Sequence, residues 1–549
     1  MGTCVPHERS VEELAEYAGA ALRGRDRGVA RGITVRRVTE FHRDVRPGDL
    51  FVGLKGRRHH GATRAREAVA AGAVAVLTDP AGAAMLPDAP AVPVLVVDDP
   101  RAVLGPIASL LNGHPSHHLP VYGVTGTNGK TTTAFILEAA LRRLDLRPGL
   151  LSTPETVIGT QREPSGMTTP TAPHVQDVLA RMLAAGNAAA VMEVSSHALD
   201  QGRVNGIRFD TVAFTNLTHE HLDYHGDMES YFQAKARLFT PRFASRAVIV
   251  VDDAAGRRLD RLARRRGLAT VTLSTRADVA ATWHVHGATG QDEFTLRGAR
   301  GDLALRSPLP GEHNRVNTAL AALMLLGSGH AAQDVVRALA GPVGVPGRMD
   351  RVELGPQWPT VLVDFAHTPD ATAKSVSALQ ARTRGRLVVT ASSGGDRDTS
   401  KRELTGRAVV EAGADVVVVT DDNPRSEDPA AIRAAVMRGV QAAVWARRAA
   451  GLPEPRVVET PTRRDAIRTA LQLAGPDGTV ALYGKGHERW MEIGPPGTRV
   501  PFVDRDEVRA AAARLEDAAA ASSSSEDPEH TDAARRAERA GWRRGRVAP

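Results

Sequence analysis

Between residues 121 and 141 the chain reads VYGVTGTNGKTTTAFILEAAL. An apolar, strand-like run stops at a glycine-rich loop, and the loop opens directly into a helical pattern. A strand followed at once by a helix that folds back over it is the unit of a mainly parallel sheet covered on both faces, which points to an α/β protein. Other stretches keep the same rhythm. AAAVMEV and TVAFTNL are buried-strand candidates, and TVLVDF, RLVVTAS, DVVVVT and TVALYG are each followed by a helical pattern. A chain of 549 residues predicts roughly three domains. The expected division is a small α/β domain over 1–118, which opens with VEELAEYAGAALRG as an amphipathic helix and closes at the linker HPSHHLP, and a central domain over 119–345. A Rossmann-like domain over 346–515 and a disordered tail over 516–549 follow.

The loop after residue 125 carries chemistry. Gly126 and Gly129 let backbone N–H groups approach phosphate oxygens, the helix start adds positive potential, Lys130 reaches the outer phosphates, and the Thr131 hydroxyl suits Mg²⁺. A nucleoside triphosphate site is expected, with Val124 standing where the strict pattern has its first glycine. Glu193 ends the strand AAAVMEV, so its carboxylate should emerge where open α/β sheets bind ligands, as a candidate metal ligand. His219, His221 and His225 follow the next strand; the H-E-x-x-H zinc pattern fails at Asp223, which leaves one imidazole beside a magnesium site.

Of 70 basic residues just six are lysines: Lys55, Lys130, Lys235, Lys374, Lys401 and Lys485. Arginine serves elsewhere, so a retained lysine marks a place that needs a compact ammonium or an amine able to lose its proton. Lys235, on a helical pattern among apolar neighbours, stands out on that ground. The net charge of +7 is scattered and aromatic residues make up 4%, which argues against a nucleic-acid surface. No apolar run long enough to span a membrane is present. A single cysteine, Cys4, and an amino-terminal stretch without a secretory pattern predict a cytoplasmic protein.

Taken in order, GVTGTNGKTTT, MEVSSHAL, NLTHEHLDYHG with AKARLF, GEHNRVNTALA, GRMDRVE and VDFAHTPDA resemble the successive motifs of the Mur ligase family, the ATP-dependent amide-forming enzymes of peptidoglycan assembly. The resemblance covers the chain to about residue 515. It implies an α/β, three-domain architecture with a central P-loop ATPase domain and a C-terminal Rossmann-like domain, acting as a monomer. It implies that Gly126, Thr127, Asn128, Gly129, Lys130, Thr131 and Thr132 hold the ATP phosphates, with Asn317, Arg348 and Asp364 around the adenosine. Thr131, Glu193 and His221 would hold Mg²⁺ together with Lys235, carboxylated by CO₂ to N6-carboxylysine, so that Lys130, Glu193, His221 and Lys235 form the catalytic set. Thr168, Thr169, Ser195, Gln201 and Arg203 would contact a UDP-muramoyl dipeptide.

GGDRDTSKR, DDNPRSEDP and GKGHE are similar to the branch of the family that attaches diaminopimelate. That likeness implies that Arg397, Asp422, Asn423, Pro424, Arg425, Gly484 and Glu488 receive the amino acid. Arg425 suits a distal carboxylate bidentately and would repel an amino acid that ends in a bare ammonium. In the implied reaction the γ-phosphate of ATP moves to the glutamyl carboxylate, and the amine attacks the acyl phosphate, under domain closure that excludes water.

The first domain departs from the family pattern. Phe41-His42-Arg43 replaces Asp-Ser-Arg, and Arg57-Arg58-His59-His60-Gly61 forms a basic loop where relatives contact the uridine nucleotide. Met167, Phe365, His313 and Ser392-Ser393 are smaller departures. Two other functions stay open at this point: a paralogue of folylpolyglutamate or cyanophycin type that joins a different carboxylate and amine, and a nucleotide-binding scaffold without turnover.

Overall fold

The computed structural model describes residues 7–23, 32–56, 58–299, 301–495 and 497–524. Cys4, Arg57 and the arginines after residue 530 lie outside the described residues. The chain divides into two compact units, 1–346 and 347–549. Among the described residues no helix is long and apolar enough to cross a membrane.

The first unit opens with a five-stranded sheet in the order Ala21–Arg23, Val94–Val96, Ala75–Thr78, Asp49–Gly53, Arg37–Thr39, parallel except at the first pairing. Its first helix is shorter than the periodicity predicts. Ser10 and Glu13 form a reciprocal cap at its start, and the helix Val11–Ala18 stops because Gly19 turns left-handed at φ 61°. Residues Ala21–Arg23 then leave the helix to become the edge strand. The helix Pro100–Leu111 ties this layer to the central one: a Cβ on Gly105 would lie 2.0 Å from the Asn205 carbonyl oxygen, so only glycine permits the approach.

An eleven-stranded sheet follows, in the order Gln161–Pro164, Glu155–Ile158, Pro148–Leu151, Ala189–Glu193, Val121–Thr125, Phe209–Phe214, Ala244–Val250, Ala269–Ser274, Trp283–His286, Glu293–Gly298, Leu303–Arg306. Pairings from Pro148–Leu151 to Trp283–His286 are parallel, and both ends are closed by antiparallel hairpins. Val121–Thr125 and Ala189–Glu193 are buried throughout, as strands covered on both faces must be.

The second unit holds a six-stranded sheet ordered Asp350–Val352, Thr360–Asp364, Thr479–Tyr483, Leu387–Ala391, Val416–Val419, Arg456–Glu459, parallel except for its first pairing. The turns after Asp364, Tyr483, Ala391 and Val419 therefore share one carboxyl edge. The last helix, Asp504–Ser524, runs past residue 515 and moves the expected start of the tail. Alanine-rich sequence favours helix, and Glu516 Oε1 accepts from Trp358 Nε1 at 2.8 Å and Gln357 Nε2 at 2.9 Å, which anchors that turn.

Candidate active site

Val121–Thr125 ends in the middle of the eleven-stranded sheet, and the glycine-rich loop leaves at its carboxyl edge. Gly126 adopts φ 150°, and a Cβ there would meet Thr215 Oγ1 at 1.8 Å. Gly129, at φ 87°, starts the helix Lys130–Arg143 without a side-chain cap. A helix start that carries no capping side chain suits an anion. The chain after Phe214 clamps the loop. Thr127 N donates to Asn216 O at 2.9 Å, Asn128 N to Asn216 Oδ1 at 3.0 Å, and Thr215 Oγ1 to Asn128 O at 2.6 Å.

Lys130 Nζ donates to Gly126 O at 3.0 Å and Thr127 O at 2.8 Å. Thr131 Oγ1 donates to Glu193 Oε2 at 2.9 Å, while Thr153 N donates to Glu193 Oε1 at 2.7 Å. This pairing follows from register, because Glu193 lies level with Val124 in the neighbouring strand. Thr125 Oγ1, Asn128 Nδ2 and Thr218 Oγ1 are buried beside the loop without a hydrogen-bond partner among the described residues. A hydroxyl, a carboxylate and unpaired polar atoms at a phosphate loop are hard-oxygen chemistry that fits Mg²⁺ and a nucleotide.

Lys235 is 1% exposed on the helix Met228–Ala236, and its Nζ donates to the same Gly126 carbonyl at 2.8 Å. Burial, reinforced by the charge on Lys130, holds this amine well below the ordinary lysine value. A neutral amine is the form that reacts with CO₂, so the site fits the carboxylated lysine. Tyr231, one turn earlier, packs its ring 4.6 Å from Lys235 Nζ and shares a 3.2 Å hydrogen bond with Thr127 Oγ1. The His221 ring lies 6.1 Å from that of Tyr231 and 4.8 Å from that of His197. His221 has φ 58°, a left-handed conformation that a non-glycine residue holds only under constraint. Burial, with His225 and Arg203 adding to it, brings His197 down to about 4.

The residues expected at the dipeptide form one network. Thr153 Oγ1 donates to Thr168 Oγ1 at 3.1 Å, and Thr169 Oγ1 donates to Glu193 O at 2.8 Å while accepting from Ser195 N at 3.1 Å. Arg203 Nη1 donates to Thr169 O at 2.8 Å, its Nη2 donates to Gln201 Oε1 at 2.7 Å, and Gln201 Nε2 reaches Tyr224 OH at 3.0 Å. Glu40 faces Arg203 and Arg101 electrostatically, and its burial raises its pKa. Beside the first sheet His60 Nε2 lies 3.0 Å from Asp79 Oδ1, and Arg101 Nη2 donates to Lys55 O at 3.1 Å. Asn317 is buried against the phosphate loop, where it accepts from Thr133 Oγ1 at 3.3 Å.

In the second unit Arg348 stacks over the Phe365 ring at 4.4 Å, and His487 lies on the same ring at 5.1 Å. Asp364 accepts from Met349 N and Ala366 N, each at 2.7 Å, and burial raises its pKa against the pull of Arg348. On the same sheet edge Asn423 Nδ2 donates to Glu488 Oε2 at 2.7 Å. Arg425 donates through Nη1 to Gly395 O and through Nε to Glu492 Oε2, each at 2.7 Å. Its Nη2 has no partner among the described residues. Gly484, at φ 105°, sits where a Cβ would lie 2.4 Å from Asp422 Oδ2. Asp422 is 8% exposed and its carboxylate makes no hydrogen bond among the described residues. Pro424 is buried in this turn, and Arg397 is exposed beside Gly394. Sequence reasoning missed Thr215, His197, Tyr231, Glu40, Arg101 and Glu492. His197 and Tyr231 lie inside or next to motifs it had singled out, whereas Glu492 has no sequence signal.

Mainly parallel sheets with a phosphate loop at one carboxyl edge and a cluster of charged side chains at another suit an enzyme of the ATP-dependent ligase class, and the family comparisons assign the chain to it. Models of the Mur ligase family catalytic domain, the Mur ligase middle domain and the Mur ligase glutamate ligase domain match residues 43–110, 124–325 and 347–486. The chain belongs to the Mur ligase family. It is 43% identical over 483 residues to the UDP-N-acetylmuramoyl-L-alanyl-D-glutamate–2,6-diaminopimelate ligase of Streptomyces coelicolor, covering 87% of this chain and 92% of that protein. It is also 43% identical over 501 residues to the UDP-N-acetylmuramyl-tripeptide synthetase of Leifsonia xyli, covering 89% and 94%. A solved UDP-N-acetylmuramoyl-L-alanyl-D-glutamate–2,6-diaminopimelate ligase superposes with a TM-score of 0.65 at 28% identity, over 93% of this chain and all of that one.

Proposed function

We propose that the protein joins 2,6-diaminopimelate to the D-glutamyl carboxylate of UDP-N-acetylmuramoyl-L-alanyl-D-glutamate at the expense of ATP. The observation that carries this reading is the pocket of the second unit. Arg425, whose Nη2 makes no hydrogen bond among the described residues, and Asp422, a buried carboxylate with no hydrogen bond among them, stand at one sheet edge and suit the opposite charges of an amino acid. The name of the relative in Streptomyces agrees with it, and that of the relative in Leifsonia agrees with the formation of a muramyl tripeptide.

In this reading residues 1–118 take the nucleotide end of the muramoyl substrate, 119–345 bind ATP, and 346–515 bind the amino acid. The glycine loop and the Lys130 ammonium hold the transferring phosphate and neutralise its charge. Arg203, steadied by Gln201, orients the glutamyl end. Mg²⁺, held by Thr131, Glu193, His221 and carboxylated Lys235, would supply further neutralisation of phosphate oxygens. The γ-phosphoryl group passes to the glutamyl carboxylate, the amine attacks the acyl carbon, and inorganic phosphate leaves as the amide forms. The test is phosphate release by the purified protein with ATP and a panel of muramoyl nucleotides against candidate amino acids. Release should need both the dipeptide nucleotide and diaminopimelate; turnover with lysine or glutamate in place of diaminopimelate would reject the assignment.

A further inference from the structure

Lys485 is fully buried, with no exposed side-chain surface, in a chain that uses arginine almost everywhere else. Its ammonium finds three acceptors: Trp490 O at 2.5 Å, Glu488 Oε2 at 3.2 Å and Asn423 Oδ1 at 3.5 Å. Three N–H donors are thus matched to three acceptors, a geometry that a planar guanidinium could not occupy. Asn423 is the relay. Its Oδ1 also accepts from Glu492 N at 2.9 Å, and Glu492 in turn grips Arg425. We propose that Lys485 is the positioning residue of the amino-acid site: it fixes the Glu488 carboxylate and the Asn423 side chain, and through Asn423 the Glu492 backbone next to Arg425, so that one anion and one cation are presented to the incoming zwitterion at a set spacing. This deepens the amino-acid site proposed above and rests on it.

The electrostatics agree. Glu488 faces Asp422, Lys485 and the Asn423 amide, and Arg463 lies within the field of both carboxylates. Burial and Asp422 push the Glu488 pKa up, and Lys485 and Asn423 oppose them. Arg463 is committed to Asp504, so Lys485 is the cation bonded to Glu488. Without Lys485, Glu488 keeps its proton to higher pH and attracts an ammonium less.

The experiment compares wild type with Lys485→Met, measuring KM for diaminopimelate, ATP and the muramoyl nucleotide between about pH 6.5 and 8.5. The variant should raise the diaminopimelate KM about tenfold or more at the acid end, leave the ATP KM alone, and narrow the gap to wild type as pH rises and Glu488 ionises, what remains being the part carried through Asn423. An unchanged diaminopimelate KM, an equal rise for ATP, or a gap that does not depend on pH overturns the proposal. A wild type that does not use diaminopimelate would instead remove the function on which the proposal rests. If Lys485→Met fails to fold, Lys485→Met/Glu488→Gln removes both charges together and should raise the diaminopimelate KM over Glu488→Gln only by the pH-independent part carried through Asn423; a rise over that single variant that grows toward acid pH counts against Lys485 acting through Glu488.

Discussion

Arg425 Nε donates to Glu492 Oε2 at 2.7 Å while the Arg425 backbone N–H donates to the Glu492 carbonyl at 3.0 Å. Two residues 67 positions apart are thus bound through side chain and main chain at once. Arg425 also holds φ 52°, so its backbone is constrained as well as its guanidinium. Arg425→Ala should raise the diaminopimelate KM about tenfold to a hundredfold, as loss of a charge-assisted pair does, and leave the ATP KM within about twofold. Glu492→Gln should move it the same way by less. Initial rates with each substrate varied in turn decide it; equal effects on both substrates would make Arg425 structural.

Lys235→Ala should abolish ligation and leave the fold intact. Short-chain carboxylic acids that can stand in for the carbamate should restore part of the rate. Lys235→Met, which keeps the volume and removes a buried amine placed beside Lys130, should unfold at the wild-type temperature or above it. Full activity in either variant would take Lys235 out of the reaction.

Arg463 and Asp504 are paired with no side-chain exposure on either partner. Asp504→Asn leaves a guanidinium buried against a neutral amide and should cost about 3–5 kcal/mol in urea unfolding. Glu507→Gln, in the same helix as Asp504, breaks a pair with the exposed Arg464 of the helix Arg463–Ala474 and should cost about 0–1 kcal/mol. Similar losses would mean that burial is not what sets the difference.

His487 is held down to about 3 by burial and by the charges on Arg348 and Lys485. Below its ordinary value of 6.5 the unfolded chain takes up a proton that the folded chain refuses until about pH 3. Stability should therefore fall as pH drops through that window, by up to about tenfold in the folding equilibrium per pH unit from this group. His487→Gln should flatten that part of the profile; an unchanged acid limb in denaturant titrations at pH 7, 6, 5 and 4 would exclude the residue.

What the sequence disclosed was the chemistry carried by contiguous residues. The loop from Gly126 to Thr132 is a local object, and Glu193 could be placed because a continuous apolar strand ends visibly at its first charge. Four strands of the second unit were legible as short apolar runs between breaks, whereas Asp350–Val352 and Arg456–Glu459, which each carry two charged residues in three or four positions, were not. The hairpins that close both ends of the large sheet were not, since Gln161–Pro164 is exposed along its whole length and carries no apolar period. Glu492 was hidden because its role depends on a two-stranded ribbon pairing Trp490–Glu492 with Arg499–Pro501, which no periodicity marks. The first helix was overextended because VEELAEYAGAALRG continues a helical period through Gly19, where the backbone turns away instead.

Asp504 sits 41 residues after the guanidinium it neutralises and opens the last described helix. A chain cut short of Asp504 would therefore keep the Arg463 guanidinium in the interior without the carboxylate that pairs with it, so the final helix is part of the second unit's core rather than an appendage.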